Sequence, residues 1–428
     1  MKTTHLRYAA GIVLAATGFT IPALAQDAST GAALANAPST VLKAPPAPEA
    51  PPPSPYQLRL LYTGEIWNNV QGGIRTGWDY MQNIDAQLSV DTERAYGWTG
   101  GRFFIEGFYG NGPSFNENFI GSVQDASVID VGRNNMARLY QVYYDQHVAA
   151  TGTDIRVGVM DIETEFGITR AMDPFFNGAF AWTTTLDHSG EQLNGPSTFP
   201  NTSLGIRVRQ KITDQLSIQG AVLNGMADLP DSSRAIDIEI NRQNGALAIA
   251  EIDYTPIART KIYGGYWQYT GLFDTQNEFN DDGSVRQVWG SHGAYVGAGT
   301  RLYTIEGPRG LDAFVNFGVA DDRTNEVDRS VNAGLTWTGL IASRAADKLS
   351  FGVSTAHAGN PFQQAQIAAV GSVHTYETVF EVTYRARVNE WLTVQPDVQY
   401  IINPGFDPTL KNAFMFGLHF EVGKRFGL

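Results

Sequence analysis

The sequence predicts an all-β fold: a transmembrane antiparallel β-barrel of about 16 strands, with short periplasmic turns on one rim and long extracellular loops on the other. Three observations predict it. From Leu58 to the C-terminus, short segments alternate apolar and polar residues at period two, which gives each strand one oily face and one wet face. The joins between segments alternate between short and long. The chain also opens with the pattern of an export signal. A soluble sandwich shares the alternation but has no reason to sort its loops by rim.

Bulk properties agree. The chain has 428 residues, no Cys, 45 Gly and a formal net charge of -13. That length exceeds one ordinary globular core, and a closed sheet resolves the excess because its residues cover a wall and need not fill a centre. No run of about 18 apolar residues follows the leader, which argues against helical membrane spans. Zero Cys excludes a disulfide framework and thiolate metal sites, and acidity argues against a nucleic-acid partner.

Three regions follow in order. Residues 1-25 read as a signal peptide: Lys2 and Arg7 give the positive start, Tyr8 to Ile21 is mostly apolar, and Ala23-Leu24-Ala25 is an A-x-A cleavage site, so processing near Ala25 is expected. Residues 26-55 are rich in Pro and Ala and have little to bury. They read as a flexible periplasmic segment of polyproline II character. Residues 56-428 read as the outer-membrane barrel.

The expected strands are 58-68, 82-91, 102-110, 137-147, 154-162, 204-211, 216-224, 246-254, 259-269, 293-303, 311-319, 329-337, 348-356, 376-388, 391-401 and 413-426. The second is the cleanest, with Ile84, Ala86, Leu88 and Val90 opposing Asp85, Gln87, Ser89 and Asp91. In the fourth, Tyr residues occupy both parities, which leaves its faces ambiguous. The sixth sets Leu204, Ile206 and Val208 against Arg207, Arg209 and Lys211. The eleventh sets Val315, Phe317 and Val319 against Asp312, Phe314 and Asn316, and the twelfth Val331 and Leu335 against Ser330, Asn332 and Thr336. Pro396 in the fifteenth cannot donate to a ladder, so it marks a bulge or an unpaired position. The last puts Phe414, Phe416, Leu418, Phe420, Val422 and Phe426 on one parity, as a lipid face and aromatic girdle require.

Joins after even-numbered strands are short, as at Thr213-Asp214-Gln215 and Asn389-Glu390. Those after odd-numbered strands are longer: Asn69 to Met81, Asn111 to Met136, Glu163 to Ser203, Gly225 to Gly245 and Thr270 to His292. An even count puts both termini on the short rim.

Three stretches resemble the OprB-type carbohydrate-selective porin family. One is Glu377-Thr378-Val379-Phe380-Glu381-Val382-Thr383-Tyr384-Arg385 with Trp391 and the run from Gln395-Pro396-Asp397 to Asn403-Pro404-Gly405. A second is Arg138-Leu139-Tyr140 with Gln146, Arg156-Val157-Gly158 and Glu165-Phe166. A third runs from Gly72-Gly73 through Asn83-Ile84-Asp85 to Gly97-Trp98. The resemblance implies a sixteen-stranded outer-membrane porin of Gram-negative bacteria that passes monosaccharides and other small solutes by diffusion. The chain departs from it in ending on Leu428, where an aromatic is usual, and in its Pro-rich N-terminal stretch. The alternatives are a general or ion-selective porin on the same barrel, an outer-membrane hydrolase, and a receptor with a plugged lumen.

For a sugar path, the resemblance and the chemistry together point to polar groups facing aromatic plates at a narrow point. Binding has to stay weak, at roughly -4 kcal/mol for millimolar affinity. The longest join, Glu163 to Ser203, is the candidate to fold into the lumen, since roughly forty residues without regular structure tend to be functional. It carries Glu163, Glu165, Phe166, Arg170 and Trp182. Inward charges on the wall complete the candidate pore-lining and sugar-binding set: Arg102, Glu106, Arg156, Arg207, Arg209, Glu381 and Arg385. The family resemblance itself reaches Arg156, Glu165 and Arg385. Expected partners are small carbohydrates, outer-membrane lipid and lipopolysaccharide, and the outer-membrane assembly machinery, with a homotrimer or a monomer both open. No cofactor, metal site or catalytic residue is expected. Ser189 beside His188 lacks a triad frame, and Asn280-Asp281-Asp282-Gly283 lacks the closing Glu of a calcium loop.

Overall fold

The computed structural model describes residues 54–132, 134–227 and 235–428. The expected signal peptide and nearly all of the Pro-rich segment lie outside the described residues. Sixteen strands follow in order: β1 (Tyr56–Gly73), β2 (Gly77–Asp91), β3 (Gly101–Asn111), β4 (Met136–Val148), β5 (Thr153–Met160), β6 (Ser203–Lys211), β7 (Leu216–Asn224), β8 (Ala246–Tyr254), β9 (Lys261–Phe279), β10 (Val285–Thr304), β11 (Gly310–Ala320), β12 (Val327–Thr338), β13 (Lys348–Ala358), β14 (Tyr376–Arg387), β15 (Leu392–Ile402) and β16 (Lys411–Gly427). Each pairs antiparallel with its neighbours in sequence, and β1 pairs with β16 to close the barrel. Closure leaves no sheet edge, and that is what lets strands cross a bilayer with every backbone group paired. At the seam Leu58 lies opposite Phe426, and the Leu428 amide donates to the Tyr56 carbonyl at 3.0 Å.

The alternation sets the faces. Ile84 is exposed at 45% and Phe416 at 44%, while Asp85 is exposed at 9% and Met415 at 0%. Exposed aromatics gather at both rims: Trp98, Tyr254 and Trp391 beside short turns, Trp78, Trp289 and Tyr376 beside the opposite ends. Such rings have an apolar body and a polar tip and so suit the boundary between lipid and water.

Two departures from the sequence reading, and one expectation met at Pro396, have physical causes. In β4, Glu106 pairs with Gln141 but Gly107 pairs with Leu139, so a bulge at Tyr140 switches the strand's parity. Both Tyr140 and Tyr143 therefore face inward, which resolves the ambiguity of that segment. Two joins expected to be long loops, Asn69 to Met81 and Thr270 to His292, are mostly strand. Here β1 and β2 run on to Gly73 and Gly77, and β9 and β10 form a hairpin to Phe279 and Val285. At Pro396 the β14–β15 ladder has no pairs between Thr383–Asp397 and Ala386–Val394, as a residue without an N–H requires.

The inner face differs most from simple alternation. Around β7 to β10 it carries Leu223, Leu247, Ile249, Trp267, Tyr269, Phe273 and Tyr295. These rings pack on Phe166, Trp182, Leu186 and Leu193 of the join between β5 and β6, so that part of the bore is a packed core.

Candidate functional site

Two outer loops fill much of the lumen. The β5–β6 loop (161–202) is held by inward wall residues on many strands. Glu381 of β14 accepts the amides of Phe176 (2.8 Å) and Asn177 (2.9 Å). Gln395 donates to the Pro174 carbonyl at 2.6 Å, and Thr336 to that of Ala171 at 2.9 Å. On the opposite wall Glu251 accepts the Gly167 amide at 2.6 Å. The loop lies so close that a Cβ on Gly318 would overlap Thr183 and Thr185.

The β3–β4 loop (112–135) also enters, which the sequence reading did not anticipate. Glu377 accepts the Ser122 hydroxyl (2.7 Å) and the Gln124 amide (3.1 Å), and Glu65 accepts the Ser127 hydroxyl (2.5 Å). Gln399 donates to the Ala126 carbonyl at 2.9 Å. The available signal was on the wall: Glu377 is an inward acid near the long-loop rim and Glu65 one at mid-strand. A buried carboxylate there requires donors, and backbone amides of a nearby loop are the ready source.

The two loops leave a cavity of about 340 Å³ on the side of β1 to β4 and β14 to β16. Its polar wall includes Asn83, Asp85, Gln87, Glu106, Arg385 and Glu421. Facing them are the apolar groups Val128, Ile129, Phe175, Phe176 and Phe199 of the two loops. Phe199 packs on Phe108 and Tyr140 at ring separations of 5.0 and 5.7 Å, and Phe176 lies on the His419 ring at 4.5 Å. A chain of charges ties wall to loop: Asp173 meets Arg385 (3.6 Å), Arg385 meets Glu421 (3.2 Å), Glu421 meets His419 (3.3 Å), and His419 meets Glu65 (2.8 Å).

The candidate residues fall into three groups. Glu106, Glu163 and Arg385 line the cavity. Arg102, Arg156, Glu165 and Arg207 belong to an ion chain: Arg102–Asp145 2.6 Å, Asp145–Arg156 2.7 Å, Arg156–Glu165 2.6 Å and Glu165–Arg207 2.5 Å. Arg209 adds a looser pair with Asp253 at 3.4 Å. Phe166, Trp182 and Glu381 are fully buried where the β5–β6 loop meets the wall, and Arg170 is exposed. At the loop's root, burial pushes the Glu163 carboxyl up to about 8, and neighbouring Asp161 adds to the shift. Ser189 is buried with its hydroxyl on the Leu186 carbonyl at 2.6 Å.

A polar wall facing aromatic plates inside a membrane barrel narrows the field to solute channels. The family model for "Carbohydrate-selective porin, OprB family" matches residues 75–423. The chain belongs to this family. It is 24% identical over 408 residues to Porin B of Pseudomonas aeruginosa, covering 86% of this chain and 87% of that protein. Among solved structures, the high-pH form of Pseudomonas putida OprB aligns with a TM-score of 0.76 at 22% identity, covering 86% of this chain and 94% of that one. The outer-membrane channel DcaP of Acinetobacter baumannii aligns at 0.51 with 7% identity, covering 86% and 97%, which shows a shared fold alone. This OprB-family protein is therefore an outer-membrane sugar porin, a channel and not an enzyme.

Proposed function

We propose that this porin passes glucose-like monosaccharides by diffusion along the β1–β4 and β14–β16 side of its bore, with Arg385 and the loop aromatics as the groups the sugar meets. The observation that carries this reading is the pairing, in the lining of one cavity, of hydrogen-bonding side chains with aromatic rings. A sugar needs both, since its hydroxyls ring an apolar face. Around β7 to β10 the bore is occupied by packed aromatic and aliphatic side chains. The reading also expects acyl chains against the apolar outer band and lipopolysaccharide at the long-loop rim.

Single channels in planar bilayers test it. Added glucose should reduce the potassium current through the wild type, and Arg385→Ala should shift the half-blocking concentration while the protein still inserts. Glucose without effect on the current, at concentrations that osmotically balance the chambers, overturns the reading.

A further inference from the structure

We propose that Asn83, Asp85 and Glu106 form a binding step for amino sugars, solutes that carry a protonated amine on a polyhydroxy ring. The inference deepens the preceding one, since it takes the same cavity as the solute path.

The three residues sit on β2 and β3, share the inward face, and line the cavity together. Their exposures are 5%, 9% and 6%. The Asn83 amide nitrogen donates to both Asp85 oxygens, each at 3.1 Å, which turns the amide oxygen away from that carboxylate. That oxygen has no hydrogen-bond partner, although the side chain is buried. Glu106 is held by two neutral amides, Gln87 at 2.6 Å and Gln141 at 2.8 Å.

What this cluster lacks is positive charge. Several other inward carboxylates are ion-paired, Asp145 with Arg102 and Arg156, Glu421 with Arg385 and Glu251 with Lys261, while Glu377 and Glu381 are satisfied by donors of the inserted loops. Among the described residues, neither Asp85 nor Glu106 has a basic side chain within ion-pairing distance. Arg59 stands nearest in the ladder, opposite Gln87, and its guanidinium reaches only the Gln87 oxygen at 3.4 Å. One partly exposed guanidinium offset along the wall faces two carboxylates, so the local balance stays acidic.

The set therefore offers acceptors alone: two carboxylates with free lone pairs and one orphaned amide oxygen. A neutral sugar hydroxyl can donate to it but brings no charge. An ammonium group brings three donors and a full charge, and charge-assisted hydrogen bonds are roughly twice as strong as neutral ones. A hard divalent cation takes about six to eight oxygens, whereas this set brings only two carboxylates, and among the described residues no third His, Cys, Asp or Glu joins them. The remaining sugar hydroxyls have Tyr140 and Phe199 within the same cavity to meet ring and edge.

Current block in planar bilayers tests this with glucosamine, N-acetylglucosamine and glucose at pH 7. Glucosamine should reach half-block at a concentration on the order of fivefold lower than N-acetylglucosamine, which keeps the ring and loses the charge. In Asp85→Asn/Glu106→Gln that ratio should fall to about one, the loss expected when a charge-assisted contact becomes a neutral one. Should the double variant fail to insert, Glu106→Gln alone should lower the ratio. Equal half-blocking concentrations in the wild type, or a ratio the variants leave intact, overturn the inference. Glucose block without an amine preference sinks this inference only. Absence of block by all three sugars sinks the underlying sugar path as well.

Discussion

Removing the Glu165 carboxylate should destabilise the barrel by about 3 kcal/mol, the low end of what breaking a buried ion pair costs. Glu165 lies between two guanidinium groups, Arg156 at 2.6 Å and Arg207 at 2.5 Å, whose side chains are exposed by only 6% and 8%. In Glu165→Ala, Arg156 retains Asp145 at 2.7 Å, whereas Arg207 loses its carboxylate and faces a like charge across an empty site. The low end applies because Glu165 itself is 17% exposed, so water replaces part of the lost interaction. Glu165→Gln keeps the shape and one acceptor and should cost less. Urea unfolding of vesicle-reconstituted protein, followed by Trp fluorescence, gives the midpoint and slope. Because Glu165 stands near the start of the β5–β6 loop, single-channel records of the variant should also show added open-channel noise. A midpoint within error of the wild type, with equally quiet channels, would refute the view that this ion chain fastens the loop.

Three further expectations test other layers. Leu418 points outward at mid-strand, opposite Ile66 and Pro396, so Leu418→Arg should cost about 2–4 kcal/mol of folding free energy in lipid; equal folding yield into vesicles would place that face out of the hydrocarbon. Gly318→Val should force Thr183 and Thr185 off the wall, lowering stability by about 1–3 kcal/mol and raising conductance. Unchanged conductance would mean the loop does not occlude the bore there. Glu163 has a folded-state pKa raised to about 8, so it favours the folded state while protonated; stability should fall as pH rises from the ordinary carboxylate range through about 8. Glu163→Gln should flatten that part of the pH profile of unfolding, and an unaltered slope would count against the burial of this carboxyl.

Much of the wall was legible because its cause is local. Side chains alternate every residue in a strand, so Ile84 against Asp85 and Phe416 against Met415 declare their faces without knowledge of any partner. Pro396 declared its unpaired position for the same reason. The bulge at Tyr140 left a trace, Tyr on both parities, but only its pairing with Glu106 and Gly107 shows where the switch falls. Arg156, Glu165 and Arg207 carried the signal of inward charge, and nothing in their spacing says that they bind one another.

The order of strands, their faces and the length of the β5–β6 loop follow from the sequence alone, since each depends on neighbours along the chain, whereas two joins that read as long loops close as strand hairpins. Where the bore stays open depends on contacts between residues hundreds of positions apart, such as Phe176 with Glu381 and Ser122 with Glu377. A carboxylate on a barrel wall meets solute or loop according to which donor arrives to satisfy it. That choice belongs to the tertiary structure, because the burial of a charge is decided by everything packed around it.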